Sequence, residues 1–467
     1  MDAARNELIL ESFIAIVLLS VIALVAASPR FLRLRRSRPM TLLLSGGWLA
    51  VITGALLGPS GIGVVDPAAM LRLTPLLMVG LGWIGLMIGL QGQRRIIREL
   101  PRDLWLLTLV DFVVCLLAFG ALAWFGVGLW LAQSDGGEGP AWRLPAVILL
   151  IACAIGWSME TRSLRGGDER VAVRLAHLVR GGGALAAIIA IAFFGVASET
   201  ITRNDAGAPI IDFVQAASRV GIAALLALLL GLLGRFALRL AGRSRADLLV
   251  VLLGLVALLA GIAADLGSSP LFASMLAGVV LANIAGDDIL GFGRFVLQAE
   301  HVVALMFALL AGVLIDPAIG AWGVLLALAI AGARFVIKPL LLRGFIESGT
   351  QKGAAEITAP TESPAGPESQ PAKLSSAAAT LLSIAPVRQG PLAIALGVGL
   401  VLAEPSAFNR KLLTVVLLAG LLSEALPLIL SAFRQGREKS EERAEAAEVA
   451  AVEESQGDAD PNREAPR

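Results

Sequence analysis

Apolar runs of about 18 to 22 residues recur from one end of the chain to the other, and each is long enough to cross the roughly 30 Å of hydrocarbon in a bilayer. A segment in lipid must satisfy its own backbone hydrogen bonds, so only helices and closed barrels span. Runs of this length read as helices. Composition agrees, because 57% of the 467 residues are hydrophobic and 16% charged, which is too apolar for a soluble domain. We therefore expect an all-α polytopic membrane protein. The runs predict thirteen spans, at about 10–28, 40–58, 70–90, 104–126, 143–160, 174–198, 213–234, 247–265, 270–285, 299–316, 320–342, 385–403 and 411–432.

Arginine placement gives an orientation, since short basic loops stay cytoplasmic. Arg30, Arg33, Arg35, Arg36 and Arg38 follow the first span, and the next long loop, GPSGIGVVDPAAM, has no basic residue. Arg94, Arg95, Arg98 and Arg102 come next, then a base-free stretch at 127–141, then Arg162, Arg165 and Arg170. Arg235, Arg239, Arg243 and Arg245 continue the alternation. It predicts an N-terminus outside and a C-terminus in the cytoplasm of a bacterial inner membrane. The first apolar run leads into a basic loop instead of an Ala-x-Ala site, so no cleaved signal is expected.

Two polar segments interrupt this pattern. Residues 349–380 are rich in Pro, Ala, Ser and Glu, a composition that cannot build a core. The organisation expected is a membrane domain at 1–348, a disordered cytoplasmic loop at 349–380, the last two spans within 381–433 and an acidic cytoplasmic tail at 434–467. The loop and tail are the places for a protein partner; the lipid bilayer is the principal environment, and nothing points to nucleic acid. Cys115 and Cys153 lie in apolar runs and read as small core residues. His177 and His301 are too few to suggest a metal site, and no cofactor is expected.

Span eleven, within ALAIAGARFVIKPLLLRG, carries Arg334 and Lys338. A basic side chain at mid-membrane depth costs roughly 2.5 to 3.5 kcal/mol unless it finds a partner, protein interior or water. The spacing of four puts both on one helix face, which makes them transport candidates. The alternative for Lys338, beside Pro339 and Arg343, is a snorkelling residue at the membrane exit. Asp111, in LLTLVDFVVCLL, must be protonated, paired or wet, and both structural pairing and ion binding are open. Asp103 and Asp247 sit at helix starts and read as capping residues; Asp316, before a proline, reads as a turn residue. Span five ends in GWSMETRSL, where Ser158, Glu160 and Thr161 bring polar groups, and a break near Gly156 would free backbone groups for an ion. Alternatively, Glu160 and Arg162 mark the cytoplasmic surface. In span six, Gly181, Gly182 and Gly183 permit a close crossing or a local break. In span twelve, Arg388, Gly390, Pro391, Gly397 and Gly399 suggest a second broken helix.

Several stretches resemble the monovalent cation/proton antiporter superfamily, the sodium/hydrogen exchanger-like membrane domain. ITGALLGPSGIGVVD resembles its second span, LVALLAGIAADLGSSPLFASMLAGVVLAN its eighth and ninth, HVVALMFALLAGVLIDP its tenth and VRQGPLAIALG the entry to its twelfth. The resemblance covers roughly residues 10–432. It implies inverted repeats, a homodimer with a mobile core, two crossed discontinuous helices at 143–160 and 385–403, and a basic span-eleven residue at Arg334, with Lys338 the second candidate. The chain departs from the family where Gly181–Gly183 stand in place of an Asn-Asp or Asp-Asp pair. GWSMETRSL likewise lacks the Thr-Asp-type motif.

Three functions follow. The first is a divergent antiporter exchanging Na+ or K+ for protons at Asp111 or Glu160. The second is a transport-silent subunit or sensor of the same fold, acting through partners. The third is a transporter of another solute, an anion drawn to Arg334 and Lys338. An enzyme is not expected, because no nucleophile, base and metal ligands cluster. In the silent reading, Arg334 becomes a structural anchor that fills the crossing.

Overall fold

The computed structural model describes residues 47–63, 65, 74–100, 102–133, 143–156, 169–203, 209–240, 245–284, 290–348, 387 and 390–426. In chain order the helices are α1 (Trp48–Leu57), α2 (Thr74–Leu90), α3 (Arg94–Glu99) and α4 (Arg102–Val114). A π-helical turn, π1 (Cys115–Phe119), joins α4 to α5 (Gly120–Ala132). Then come α6 (Arg143–Ile155), α7 (Glu169–Glu199), the antiparallel strands β1 (Ile201–Arg203) and β2 (Pro209–Ile211), α8 (Phe213–Leu240) and α9 (Arg245–Asp265). The chain continues through α10 (Pro270–Ile284), α11 (Leu290–Val313), α12 (Gly320–Ser348) and α13 (Gly390–Ala403), then α14 at 407–426.

Each predicted span from the second to the thirteenth contains a helix. The first, 10–28, lies outside the described residues, as do the loop 349–380, the tail 434–467, Ser158, Glu160, Thr161 and Arg388. Among the described residues, the segments Leu104–Ala132, Gly181–Glu199, Phe213–Leu240 and Gly320–Leu342 are each long and apolar enough to cross a membrane. Their surfaces support that environment. On α8, Leu225, Leu229, Leu232 and Phe236 are exposed, as are Leu109, Val113, Leu117 and Phe125 along α4, π1 and α5. Continuous apolar faces of this kind are tolerated in lipid and not in water.

Interior packing depends on backbone contact. Gly85 and Gly89 of α2 meet the backbone of α10, where Gly278 answers them, and Gly54 of α1 meets Gly312 and Leu309 of α11. Small residues let helices approach closely where burial of apolar surface from water cannot drive association. Asn283 ties the end of α10 to the start of α3, donating to Val279 O (2.7 Å) and Gly92 O (3.1 Å) while accepting from Arg94 N (2.7 Å).

The structure corrects several expectations. Helix α5 runs to Ala132, into the predicted base-free loop at 127–141, because LWLA is still apolar and carries no breaker. Span four is not a uniform α-helix but contains π1. Helix α7 runs unbroken through Gly181, Gly182 and Gly183, so the proposed local break there is absent. Gly181 serves packing instead: a Cβ there would lie 2.6 Å from Leu100 Cδ2. Helix α12 continues past Lys338 to Ser348 with Pro339 inside it, and Lys338 is buried among protein groups, so its side chain does not snorkel to the surface. The β1–β2 hairpin was not anticipated. Asp316 does form a turn, its Oδ1 accepting from Ala318 N at 3.0 Å, and Asp247 lies in the first turn of α9.

Candidate functional site

Helix α12 carries Arg334 and Lys338 one turn apart, and both point inward. Arg334 is 0% exposed and Lys338 2%. Lys338 Nζ donates to both carboxylate oxygens of Asp111 on α4, at 2.8 Å to Oδ1 and 2.6 Å to Oδ2. A buried ammonium and a buried carboxylate are each costly alone, and pairing with good geometry offsets that cost. The pair joins residues far apart in sequence across two long apolar helices.

Arg334 finds carbonyls. Its Nε donates to Val387 O at 2.7 Å, and its Nη1 donates to Cys153 O at 3.1 Å and Ala154 O at 2.5 Å. Its Nη2 donates to Gly156 O. Helix α6 ends at Ile155, so the Cys153, Ala154 and Gly156 carbonyls stand at its C-terminal end, the negative end of the helix dipole. The planar guanidinium, with five donors in a fork, suits such a fan of acceptors where lysine's point charge does not.

The opposing element begins beside it. Gly390 takes φ 65° at the start of α13, a left-handed conformation that glycine adopts without steric cost. Pro391 follows in the first turn, where its missing N–H leaves no bond unmade. The α6 end and the α13 start pack closely: a Cβ on Gly156 would lie 3.2 Å from Leu392 Cδ2, and Cys153 Sγ lies 4.0 Å from Ala393 O. Gly397 seats α13 against Leu413. Among the described residues, apolar side chains and the Arg334 guanidinium lie between these two helix ends.

Cys115 connects the two charged clusters. Its Sγ lies 3.7 Å from Asp111 Oδ1 and 3.7 Å from Ala154 O, so it stands between the ion pair and the end of α6. It is the first residue of π1, and π-turns inside helices concentrate at functional sites.

The sequence profile of the family "Sodium/hydrogen exchanger, transmembrane" matches residues 18–433. The chain belongs to that family. It is therefore a multi-pass membrane protein with antiporter-like transport character, and the family is one of transporters, not enzymes. Among the described residues, no three His, Cys, Asp or Glu side chains group to hold a metal ion. No curated protein matches the chain significantly. Among solved structures, that of the sodium proton antiporter MjNhaP1 from Methanocaldococcus jannaschii is similar in fold, with a TM-score of 0.58 at 14% identity. The match covers 92% of this chain and 98% of that one.

Within this exchanger-family chain, the structure brings together Asp111, Arg334, Lys338 and Gly156, with Gly390 and Pro391 at the facing helix start. It does not bring Gly181–Gly183 into that cluster by any contact it shows. Sequence reasoning missed the direct Lys338–Asp111 pairing and the role of Cys115. The available signal was spacing: Asp111 and Cys115 are four apart on one helix, as Arg334 and Lys338 are on another.

Proposed function

We propose that this protein exchanges a monovalent cation, Na+ or K+, for a proton across a bacterial cytoplasmic membrane, with Asp111 and Lys338 as the exchange pair. The observation that carries the reading is the buried contact of Lys338 Nζ with both oxygens of Asp111. An entering cation takes the ammonium's place on the carboxylate. Lys338, losing its counter-charge in a low-dielectric interior, releases a proton and becomes a neutral amine. On the other side of the membrane, a proton returns to Lys338 and the ammonium displaces the cation. Exchange at this pair alone moves one cation against one proton and leaves the site's charge unchanged. Arg334 stays fixed, neutralising the end of α6. Glu160 is the alternative carboxylate, next along the chain beyond Gly156.

The alternation of arginine-rich and base-free loops through the first seven spans supports an N-terminus outside, and with the odd count of thirteen apolar runs it supports a C-terminus in the cytoplasm. The family resemblance supports inverted repeats and a homodimer, and the loop 349–380 and tail 434–467 are the surfaces offered to another protein. A second reading has its own support: Arg334 and Lys338 both have buried partners within the protein, which suits a transport-silent subunit of the same fold. It also weighs against an anion carrier, since donors of both residues are engaged by protein acceptors.

The test is proteoliposomes carrying a pH-sensitive dye, given Na+ or K+ pulses, with wild type beside Asp111→Asn and Glu160→Gln. Cation-driven proton movement lost in Asp111→Asn and kept in Glu160→Gln supports the reading. A wild type that moves no protons favours the silent subunit.

A further inference from the structure

We infer that Cys115 is a positioning residue that sets which alkali cation the Asp111 carboxylate accepts, an inference that rests on the exchange-pair reading. Asp111 Oδ1 is shared between Lys338 Nζ at 2.8 Å and Cys115 Sγ at 3.7 Å. The same sulfur lies 3.7 Å from Ala154 O, the carbonyl that Arg334 Nη1 also holds. Cys115 is 0% exposed and opens the π-turn. Its side chain is thereby fixed between the carboxylate and an anchored helix end.

When a cation replaces the ammonium, its ligands are the carboxylate oxygens and whatever stands beside them. Alkali cations are hard and take oxygen, whereas sulfur is a soft ligand and a weak hydrogen-bonding group. Cys115 therefore occupies the place of a further ligand while offering no oxygen. It keeps Oδ1 in position and leaves a small, strongly hydrated cation short of coordination when it sheds water. A larger, weakly hydrated cation gives up less on entry. The cysteine thus tilts the site away from Li+ and Na+ and toward K+ and Rb+.

The test compares full-length wild type, Cys115→Ser and Cys115→Ala in proteoliposomes, measuring KM and kcat for Li+, Na+, K+ and Rb+. Serine places an oxygen where the sulfur stood. KM for Na+ and Li+ is expected to fall relative to that for K+ by about threefold to tenfold, the range of one neutral oxygen contact, with kcat little changed. Alanine adds no oxygen and should leave the Na+ to K+ ratio at the wild-type value. A Cys115→Ser ratio equal to wild type overturns the inference, as does a uniform change in kcat for every ion. Should the serine variant not reconstitute, cation-dependent thermal stabilisation of purified protein in detergent gives the same ratio from binding. Absence of exchange in wild type, or exchange that survives Asp111→Asn, defeats the exchange-pair reading and the inference together. Exchange that needs Asp111 but ignores Cys115→Ser defeats the inference alone.

Discussion

Replacing Lys338 with methionine keeps most of the side chain's volume and removes only its charge, leaving the Asp111 carboxylate buried without the ammonium that now touches both its oxygens. The attraction between unit charges about 4 Å apart at an effective dielectric of about 20 is roughly 4 kcal/mol. Breaking one side of a buried pair costs about 3 to 5 kcal/mol, because the other charge stays uncompensated. Asp111→Asn should cost a similar amount, since it strands the ammonium. The double variant strands neither, so its loss should fall short of the sum by about 4 kcal/mol. Unfolding in mixed micelles of increasing denaturing detergent, followed by tryptophan fluorescence, measures all corners of this cycle. Additive losses, with a coupling below about 0.5 kcal/mol, would refute the claim that these groups form one charge-compensated unit. Transport separates stability from function: the double variant should be about as stable as either single variant, and inactive.

Other expectations follow from the same geometry. Arg334→Lys should lower stability markedly in the same assay, because one ammonium cannot serve the carbonyls of Cys153, Ala154, Gly156 and Val387, and each buried acceptor left unpaired costs about 1 to 3 kcal/mol. A neutral effect would mean the guanidinium fork is dispensable. Trp48 Nε1 donates to Glu424 Oε2 at 2.8 Å in the interior, so Trp48→Phe should cost about 1 to 3 kcal/mol. Glu424→Gln, which retains an acceptor oxygen, should be milder than Glu424→Leu when melting temperatures are compared. Gly181→Leu should destabilise by about 1 to 3 kcal/mol through overpacking against Leu100, and Leu100→Ala should rescue it, whereas Gly181→Ala requires only the tip of Leu100 to shift. Failure of that rescue in a double-variant melt would show that the Gly181 contact is not what limits the position.

The membrane fold was legible in the sequence because its cause is local: a run of apolar residues of bilayer length has few options. Span edges were less so, since helices α5 and α12 run on past the residues where their spans were expected to end. Arg334 and Lys338 announced themselves as charges in an apolar run. Their partners did not. Asp111 is distant in sequence from Lys338, and the acceptors of Arg334 are backbone carbonyls, which every residue possesses and no residue type signals. Cys115 read as a small core residue, which its burial supports; only the placement of its sulfur between Asp111 and Ala154 gives it a further role. The glycines of α7 looked like a break because glycine permits one, whereas at Gly181 the neighbouring Leu100 shows that space, not conformation, is used.

The central claim is that cation and proton compete for the Asp111–Lys338 pair, and proton release on cation binding tests it most directly. Purified protein in weakly buffered detergent solution is titrated with sodium or potassium chloride while a pH indicator records released protons, with choline chloride as control. Wild type should release protons saturably as the cation displaces Lys338, and Asp111→Asn should release none. Equal release from Asp111→Asn and wild type would contradict the account.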